Sequence, residues 1–339
     1  MLSESAGRLN AAAREHPRPG ADRTGGHRKA ASAWVFPGQG AQRTGMGEEL
    51  FAAYPDMVAA ADEVLGWSVA DVCRSGDGRL DQTQFTQPAL YVVNALSYQH
   101  KLATVSSHPD YLAGHSLGEF NALHAAGAFD FVTGLRLVAY RGQIMARCGG
   151  GAMAAILGLG ENEVCGVLAE AGQDVELANK NSPTQVVVSG PLGKVEATRE
   201  PFLRAGAGEF VMLPVSGAFH SRYMAPAADD LATFMGGLRL RPPQIPVISN
   251  VTAEPYDRAV QALLVAQLTG CVRWHEGIRY LLDQGVDRIE QVGPGKSLTR
   301  LTAVIRRQRL AESQPDPPGV LVGPAGQDRL PVPGWRTVS

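Results

Sequence analysis

Residues 111–120 of the chain are Tyr-Leu-Ala-Gly-His-Ser-Leu-Gly-Glu-Phe. Within them, Gly114-His115-Ser116-Leu117-Gly118 matches G-x-S-x-G, the pattern of a nucleophile elbow, in which a strand turns sharply into a helix. An apolar run precedes the pattern and a helix-forming run, 119–126, follows it. The two glycines let the backbone pass tightly around the serine, which predicts an exposed hydroxyl at a helix N-terminus. Ser116 is therefore the candidate nucleophile.

The composition predicts a soluble globular protein. The chain has 339 residues, of which 45% are hydrophobic, and a formal net charge of -2 at pH 7. No run of about 18 apolar residues is present to span a bilayer, and the near-neutral charge disfavours nucleic acid as the main partner. The four cysteines form no C-x-x-C pair, which predicts free thiols in a reducing compartment such as the cytoplasm and no zinc or other metal site.

The order of the predicted elements places a smaller unit inside a larger one. Gly149-Gly150-Gly151 ends the preceding helical pattern and marks a boundary. Residues 152–214 then follow the order strand, helix, strand, strand, helix, strand, which is ferredoxin-like. The polar stretch 179–183, Asn-Lys-Asn-Ser-Pro, is predicted to join the two middle strands, either as a plain hairpin turn or as a loop that faces a cleft.

The predicted fold class is α/β, with an α/β-hydrolase-like large subdomain and an inserted ferredoxin-like small subdomain. The predicted parts are a disordered leader or linker (1–32), the large subdomain (33–151 and 215–308), the small subdomain (152–214) and a Pro-rich tail (309–339). Within the large subdomain, a polar loop is predicted to extend to Asp81. A helix is predicted from about Ala89 to Leu102, with Pro88 near its first turn.

Two further positions in the large subdomain are candidates for function. The strand Ala33–Phe36 is followed by Pro37-Gly38-Gln39-Gly40, which predicts free N–H groups at the carboxyl edge of a sheet. An ordinary loop is the alternative. Arg141 lies on a largely apolar helix, from about 131 to 148. Its charge is either on the solvent face, which is the commoner case, or held for a ligand.

A serine hydroxyl attacks at neutral pH only when a positioned base takes its proton. Among the eight histidines, His220 is the best candidate base, because it lies where the chain re-enters the large unit and follows the elbow in α/β-hydrolase order. His115 adjoins the serine, but neighbouring side chains diverge in a sharp elbow. No Asp or Glu between the elbow and His220 lies in an obvious strand-end loop, which leaves a backbone carbonyl as the alternative orienting acceptor.

Taken together, a series of short motifs resembles the malonyl-CoA:acyl carrier protein transacylase family over about residues 33–308. The closest resemblance is to trans-acting acyltransferases that serve polyketide synthases without built-in ones. The motifs are Gly-Gln-Gly-Ala-Gln at 38–42, Thr-Gln-Pro-Ala at 86–89, the elbow with Glu119 and Phe120, Tyr-Arg-Gly at 140–142, Asn-Lys-Asn-Ser-Pro at 179–183, Gly-Ala-Phe-His-Ser at 217–221, Gln-Leu at 267–268, Val-Arg-Trp at 272–274 and Val-Gly-Pro-Gly-Lys at 292–296.

The resemblance implies a ping-pong malonyltransferase that acts in polyketide or fatty acid biosynthesis. Ser116 would attack the thioester of malonyl-CoA, and the phosphopantetheine thiol of an acyl carrier protein would then take the malonyl group, with no other cofactor. The implied roles are His220 as base, the Gln267 carbonyl as the acceptor that orients it, the N–H groups of Gln39 and Leu117 as oxyanion donors, Arg141 as the partner of the malonyl carboxylate, and Asn181 as a neighbour of the acyl group.

Phe219 would supply bulk beside the α-carbon, which favours malonyl over methylmalonyl. One departure is Gly217, where malonyl-selective domains inside synthases usually have histidine. Three alternatives remain: an acyl-carrier-protein hydrolase of the same fold, a non-catalytic module that docks carrier protein, and a general esterase. Arg141 argues against the first, since a hydrolase for neutral acyl groups needs no carboxylate clamp, and the presence of Ser116 and His220 argues against the second.

Overall fold

A computed structural model describes residues 31–172 and 174–313. The first part of the chain contains β1 (Ala31–Phe36), α1 (Glu48–Ala53), α2 (Pro55–Leu65), α3 (Val69–Ser75), a 3-10 turn (Arg79–Asp81), α4 (Thr83–Thr104), β2 (Tyr111–Gly114), α5 (Gly118–Ala125) and α6 (Phe131–Arg147). The middle part contains β3 (Gly151–Leu157), α7 (Glu161–Ala171), β4 (Glu176–Ser182), β5 (Gln185–Pro191), α8 (Leu192–Ala197), α9 (Arg199–Arg204) and β6 (Glu209–Met212). The last part contains a second 3-10 turn (Arg222–Met224), α10 (Ala225–Met235), β7 (Val247–Ile248), α11 (Val260–Thr269), α12 (Trp274–Asp283), β8 (Val286–Gln291) and α13 (Ser297–Glu312).

A parallel sheet in the order β7-β2-β1-β8 forms the centre of the large subdomain. Its central strand β1 is buried along residues 32–36, as is typical of a parallel sheet covered on both faces. Because β1, β2 and β7 are parallel neighbours, the turns that follow them meet at one edge of the sheet. Gln39, Ser116 and Asn250 lie in or directly after these turns, at the edge where ligands bind in open α/β folds.

An antiparallel sheet in the order β4-β5-β3-β6 forms the small subdomain. Counted within this unit, the order of its strands is 2-3-1-4, which is the ferredoxin-like arrangement. Its own apolar core includes Val164 of α7, Phe202 of α9 and Ile156 of β3. The two sheets, one parallel and one antiparallel, confirm the predicted fold class.

Several predicted boundaries differ from the observed elements. The stretch 179–183 is not a loop, since its first four residues complete β4 and only Pro183 and Thr184 form the turn into β5. Strand β1 begins at Ala31, inside the predicted leader, and α13 continues to Glu312, inside the predicted tail. The rest of the leader, 1–30, and the tail beyond 313 lie outside the described residues.

The chain between Leu65 and Asp81 contains a helix where a polar loop was predicted. Ser68 caps α3 by accepting a hydrogen bond from the N–H of Asp71 at 3.2 Å, and most of the helix is buried. Helix α4 also begins earlier than predicted, at Thr83, and contains Pro88 in its interior. None of the described helices, the 22-residue α4 included, combines the length and apolar character needed to cross a membrane.

The small subdomain is joined to the large one through the edge of β4. The N–H of Lys180 donates to the carbonyl of Val272 at 2.9 Å, and the N–H of Val272 donates to the carbonyl of Ala178 at 2.8 Å. The Lys180 ammonium also lies 3.0 Å from the Glu276 carboxylate on α12. These contacts fix β4, and with it Asn181, relative to the large subdomain.

Candidate active site

The turn between β2 and α5 presents Ser116 at the carboxyl edge of the parallel sheet. Ser116 has a φ of 51°, a left-handed conformation that is uncommon for residues other than glycine. A Cβ on Gly114 would collide with the backbone of Gly118, and a Cβ on Gly118 would collide with the carbonyl group of Phe36. Only glycine therefore fits on either side of the elbow, and the tight packing holds the serine in its strained conformation.

Ser116 and His220 form a hydrogen-bonded pair, although 104 residues separate them. The Ser116 Oγ lies 2.7 Å from Nε2 of His220, and Nδ1 of His220 lies 2.8 Å from the carbonyl oxygen of Gln267. Because a carbonyl can only accept, Nδ1 carries the proton and Nε2 is free to accept the hydroxyl proton. His220, like Ser116, has a left-handed backbone, with a φ of 58°. A backbone carbonyl thus occupies the position that a carboxylate has in many serine hydrolases.

The surroundings of His220 keep its imidazole neutral. The side chain is buried, and burial, followed by the positive charge of Arg141, lowers the pKa of His220 to about 3. The hydrogen bond to Gln267 acts in the opposite direction, since it favours the imidazolium. A neutral imidazole is the form that can take a proton from Ser116.

We expect the His220 ring to stay neutral in the free protein between about pH 5 and 8. A folded-state pKa lowered to about 3 means that the proton is bound only below this range. Nitrogen NMR of isotope-labelled histidine, assigned with a His220→Gln variant, would measure this directly. An Arg141→Gln variant removes the nearby positive charge and should raise the pKa of His220. A titration of the wild-type ring with a midpoint near the ordinary value of about 6.5 would contradict the expectation.

Arg141 places a fully buried guanidinium next to the nucleophile. Its Nη1 donates to Oε1 of Gln87 at 2.7 Å, and its Nη2 donates to Oε1 of Gln267 at 2.9 Å and to Oγ of Ser116 at 3.2 Å. The solvent-facing alternative for this residue is therefore wrong. Burial lowers the pKa of Arg141 to about 10, which leaves the group charged at neutral pH.

The neighbours that Arg141 contacts are neutral. No ion pair among the described residues includes it, and within the same part of the chain its Nε has no hydrogen-bond partner. A buried cation without a directly paired anion is unfavourable, and an incoming carboxylate would relieve this. The guanidinium is therefore suited to bind an anionic group close to the Ser116 hydroxyl.

The predicted oxyanion donors lie in two turns that pack together. Gln39 follows β1, and Leu117 precedes the first residue of α5. A Cβ placed on Gly38 would lie 3.5 Å from the backbone nitrogen of Leu117, which shows how closely the turns approach. Within the described part of the chain, neither Gln39 nor Leu117 uses its N–H in a hydrogen bond. Both N–H groups are thus available for a developing negative charge.

Asn181 and Phe219 lie beside the pair from opposite subdomains. The Oδ1 of Asn181 lies 2.8 Å from Nε2 of His115, the residue before the nucleophile. Phe219 precedes His220 and is buried against the main apolar core. Its ring fills the space over Gly217, because a Cβ at 217 would collide with Cε1 of Phe219. The departure at Gly217 therefore has a steric consequence: this position of the Phe219 ring requires glycine.

Four side-chain groups near the pair have no role predicted from the sequence: Gln87, Glu119, Asn250 and the side chain of Gln267. Asn250 binds the elbow from β7, since its Oδ1 accepts from the N–H of Ser116 and its Nδ2 donates to the carbonyl of Gly114, both at 2.7 Å. The polar pair Ser249-Asn250 directly follows the apolar run Val247-Ile248, and this pattern is the signal that could have identified it. The amide of Gln267 interacts only with residues distant in sequence, which no local pattern reveals.

The two-subdomain fold and the nucleophile elbow are those of an acyltransferase. Residues 33–309 match the family model of the acyl transferase domain, and the chain therefore belongs to this family.

Three similar proteins illustrate the relationship. The polyketide biosynthesis malonyl CoA-acyl carrier protein transacylase BaeC of Bacillus velezensis is 47% identical over 281 residues, which are 81% of this chain and 96% of BaeC. The polyketide biosynthesis protein ThaF of Burkholderia thailandensis is 46% identical over 284 residues, which are 83% of this chain and only 25% of ThaF. A crystal structure of malonyl CoA-acyl carrier protein transacylase from Burkholderia pseudomallei matches with a TM-score of 0.79 and 46% identity, covering 83% of this chain and 99% of that chain.

Proposed function

We propose that the protein transfers a malonyl group from malonyl-CoA to the phosphopantetheine thiol of an acyl carrier protein, acting in trans in polyketide biosynthesis. One observation carries the proposal: the fully buried guanidinium of Arg141 lies 3.2 Å from the Ser116 hydroxyl and, among the residues that the structure describes, contacts only neutral groups. A carboxylate at the far end of a short acyl group would pair with it. The names of similar proteins agree with this substrate class.

In the first half-reaction, Oγ of Ser116 attacks the thioester carbon of malonyl-CoA while Nε2 of His220 takes the hydroxyl proton. The N–H groups of Gln39 and Leu117 stabilise the oxyanion, and each such donor contributes about 3 kcal/mol in enzymes of this kind. The intermediate then collapses and the carbon–sulfur bond breaks. His220 gives its proton to the leaving sulfur, so coenzyme A departs as the thiol. Malonyl-Ser116 remains, with its free carboxylate on Arg141.

In the second half-reaction, His220 takes the proton of the phosphopantetheine thiol, and the thiolate attacks the ester carbon of malonyl-Ser116. The same two N–H groups hold the oxyanion. The bond between the acyl carbon and Oγ of Ser116 breaks, and the proton returns from His220 to the serine. No step needs a redox cofactor or a metal. We propose that the protein acts in the cytoplasm, a reducing compartment that suits the free cysteines Cys73, Cys148, Cys165 and Cys271.

Selectivity follows from two side chains. A neutral acyl group such as acetyl would leave the buried Arg141 charge without a directly paired anion, which is unfavourable. Phe219 is buried next to His220, so a methyl branch on the α-carbon would have to displace part of a packed core. We therefore propose the preference malonyl over methylmalonyl, with acetyl a poor substrate.

We expect a malonyl adduct on the purified protein within seconds of mixing with malonyl-CoA, and loss of that adduct when a phosphopantetheine-loaded carrier protein is added. Intact-mass spectrometry measures both steps. Parallel reactions with methylmalonyl-CoA and acetyl-CoA should give slower adduct formation. Equal rates for malonyl- and methylmalonyl-CoA would refute the proposed role of Phe219.

The same experiment distinguishes transfer from hydrolysis. A transferase holds malonyl-Ser116 in water until the thiol arrives, whereas an editing hydrolase releases the acyl group without any carrier protein. An adduct that forms only with neutral acyl groups, or disappears in buffer alone, would replace the transferase proposal with the hydrolase one.

A further inference from the structure

A second buried charge, the carboxylate of Glu119, lies behind the Ser116–His220 pair and has no role in the mechanism above. Glu119 is in the first turn of α5 and is fully buried. Its Oε1 accepts from the N–H of Asn250 at 2.8 Å and from the hydroxyl of Tyr256 at 2.7 Å. Its Oε2 accepts from Nε2 of Gln267. Burial raises the pKa of Glu119 to about 7, and these donors oppose that rise because they favour the ionised form.

Gln267 forms hydrogen bonds with Ser116, His220 and Arg141. Its backbone carbonyl accepts from His220, as described above. Its side-chain Nε2 donates to the carbonyl of Ser116 at 2.9 Å as well as to Glu119, and its Oε1 accepts from Nη2 of Arg141 at 2.9 Å. The orientation of this single amide therefore decides which of its two ends faces the guanidinium.

The ionised Glu119 carboxylate and the carbonyl of Ser116 can only accept from Gln267, so together they select one orientation of the amide. With Nε2 held by Glu119, Oε1 must point at Arg141. In the reverse orientation, the amide oxygen of Gln267 would face a carboxylate oxygen of Glu119. The NH₂ group of Gln267 would face the Arg141 guanidinium, which would leave buried donors unpaired. Glu119 thus controls, through Gln267, where the Arg141 guanidinium lies.

The same arrangement explains how the Arg141 charge is tolerated before substrate binds. Glu119 is the negative charge that favours the charged form of Arg141, yet the neutral amide of Gln267 separates the two groups. A direct ion pair would fill the hydrogen-bonding sites of the guanidinium that a substrate carboxylate needs. Separation by one amide supplies a counter-charge and leaves those sites open.

We propose that Glu119 is a positioning residue for acyl transfer: it fixes the Gln267 amide and so aims Arg141 at the carboxylate of the acyl group. This inference rests on the proposed malonyl transfer. Glu119 does not touch the substrate in this scheme, and its effect should therefore be confined to the step that uses Arg141.

The test compares two reactions of the same serine in full-length Glu119→Gln protein. Acylation by malonyl-CoA uses Arg141, whereas labelling by a small uncharged fluorophosphonate needs Ser116 and its base His220 but offers no carboxylate for Arg141 to bind. We expect Glu119→Gln to slow malonyl acylation about 10- to 100-fold, because a displacement of about 1 Å in a positioning group can slow a reaction by up to about a hundredfold, and to slow labelling by less than about threefold. A glutamine at 119 can face Gln267 correctly only by aiming its own NH₂ group at the donors of Asn250 and Tyr256.

Tyr256→Phe is the matched control, because it removes a donor from the other carboxylate oxygen and leaves the contact with Gln267 intact. It should leave the ratio of the malonyl acylation rate to the fluorophosphonate labelling rate near the wild-type value. Gln267→Met is the second variant, useful if Glu119→Gln does not fold, since it keeps the backbone carbonyl for His220 but removes the amide. We expect it to lower the same ratio, and Glu119→Gln added to it should have no further effect on that ratio.

Two results would overturn the inference. Equal losses of acylation and labelling in Glu119→Gln would mean that the residue only supports the fold, and wild-type rates of both reactions in either Glu119→Gln or Gln267→Met would mean that the amide does not aim Arg141. A wild-type protein that reacts with the fluorophosphonate but forms no malonyl adduct is a separate outcome. It would refute the proposed function itself and the inference with it.

Discussion

Ser116→Ala is expected to abolish the malonyl adduct and to lower transfer to carrier protein by about six orders of magnitude, as loss of the nucleophile does in serine hydrolases. The variant keeps the elbow backbone, because the contacts that shape it come from Gly114, Gly118 and Asn250. What it removes is the oxygen that lies 2.7 Å from Nε2 of His220. Intact mass after mixing with malonyl-CoA, followed by a carrier-protein transfer assay, measures the effect.

Ser97→Ala is the matched control for this variant. Ser97 lies on α4 and its hydroxyl donates only to the carbonyl of Val93 within the same helix, at 2.7 Å. If Ser97→Ala keeps full activity, and Ser116→Ala is inactive but unfolds at the wild-type temperature, the loss of activity is due to the missing nucleophile. Retention of transfer by Ser116→Ala would instead support a module that docks carrier protein without acylation.

Arg141→Ala is expected to change selectivity as well as rate. Removing one partner of a buried, hydrogen-bonded charge pair weakens the interaction by about 2–5 kcal/mol, so malonyl acylation should slow by about 30- to 5,000-fold. Acetyl acylation should change far less, because a neutral group never pairs with the guanidinium. Single-turnover mass spectrometry with malonyl-CoA and acetyl-CoA measures both acylation rates, and their ratio shows whether selectivity has changed.

Arg136→Ala controls for the loss of an arginine from the same helix, since Arg136 is exposed on α6. Arg141→Lys adds a finer comparison. Lysine retains a charge but lacks the planar pair of donors. We therefore expect a malonyl acylation rate between the rates of the wild type and the alanine variant. If Arg141→Ala slowed acetyl and malonyl acylation equally, Arg141 would be organising Ser116 and not recognising a carboxylate.

Local sequence was sufficient for the features of the site that depend on backbone geometry. The elbow was predictable because only glycine fits at 114 and 118, and those collisions are local or involve the neighbouring strand. His220 was predictable from its place after the elbow at a subdomain junction. The residues alone leave the acceptor for Nδ1 of His220 open between a carboxylate and a backbone carbonyl. The family resemblance implies the carbonyl of Gln267, and the structure places that oxygen 2.8 Å from Nδ1.

The error at 179–182 arises because tertiary contacts outweigh local propensity. Residues 179–182 are polar and favour a turn by composition, but they form part of β4 because their backbone groups pair with β5 and with Val272. Pro88 suggested a helix start, yet α4 begins at Thr83, and Thr86 is held by donating its hydroxyl hydrogen to the carbonyls of Leu80 and Gln82. The Glu119–Gln267 contact joins residues 148 positions apart and leaves no local pattern.

The hydrogen bonds between β4 and Val272 also limit how this fold can be recombined. An outer strand with free N–H and C=O groups is a template for unwanted pairing with other chains, and here residues of the large subdomain cover part of that strand. A small subdomain exchanged between related enzymes without the segment around Val272 would lose its covering partner and the anchor that holds Asn181 near His115. The natural unit of exchange is therefore discontinuous in sequence, and grafting experiments that aim to alter acyl-group choice need to move both pieces together.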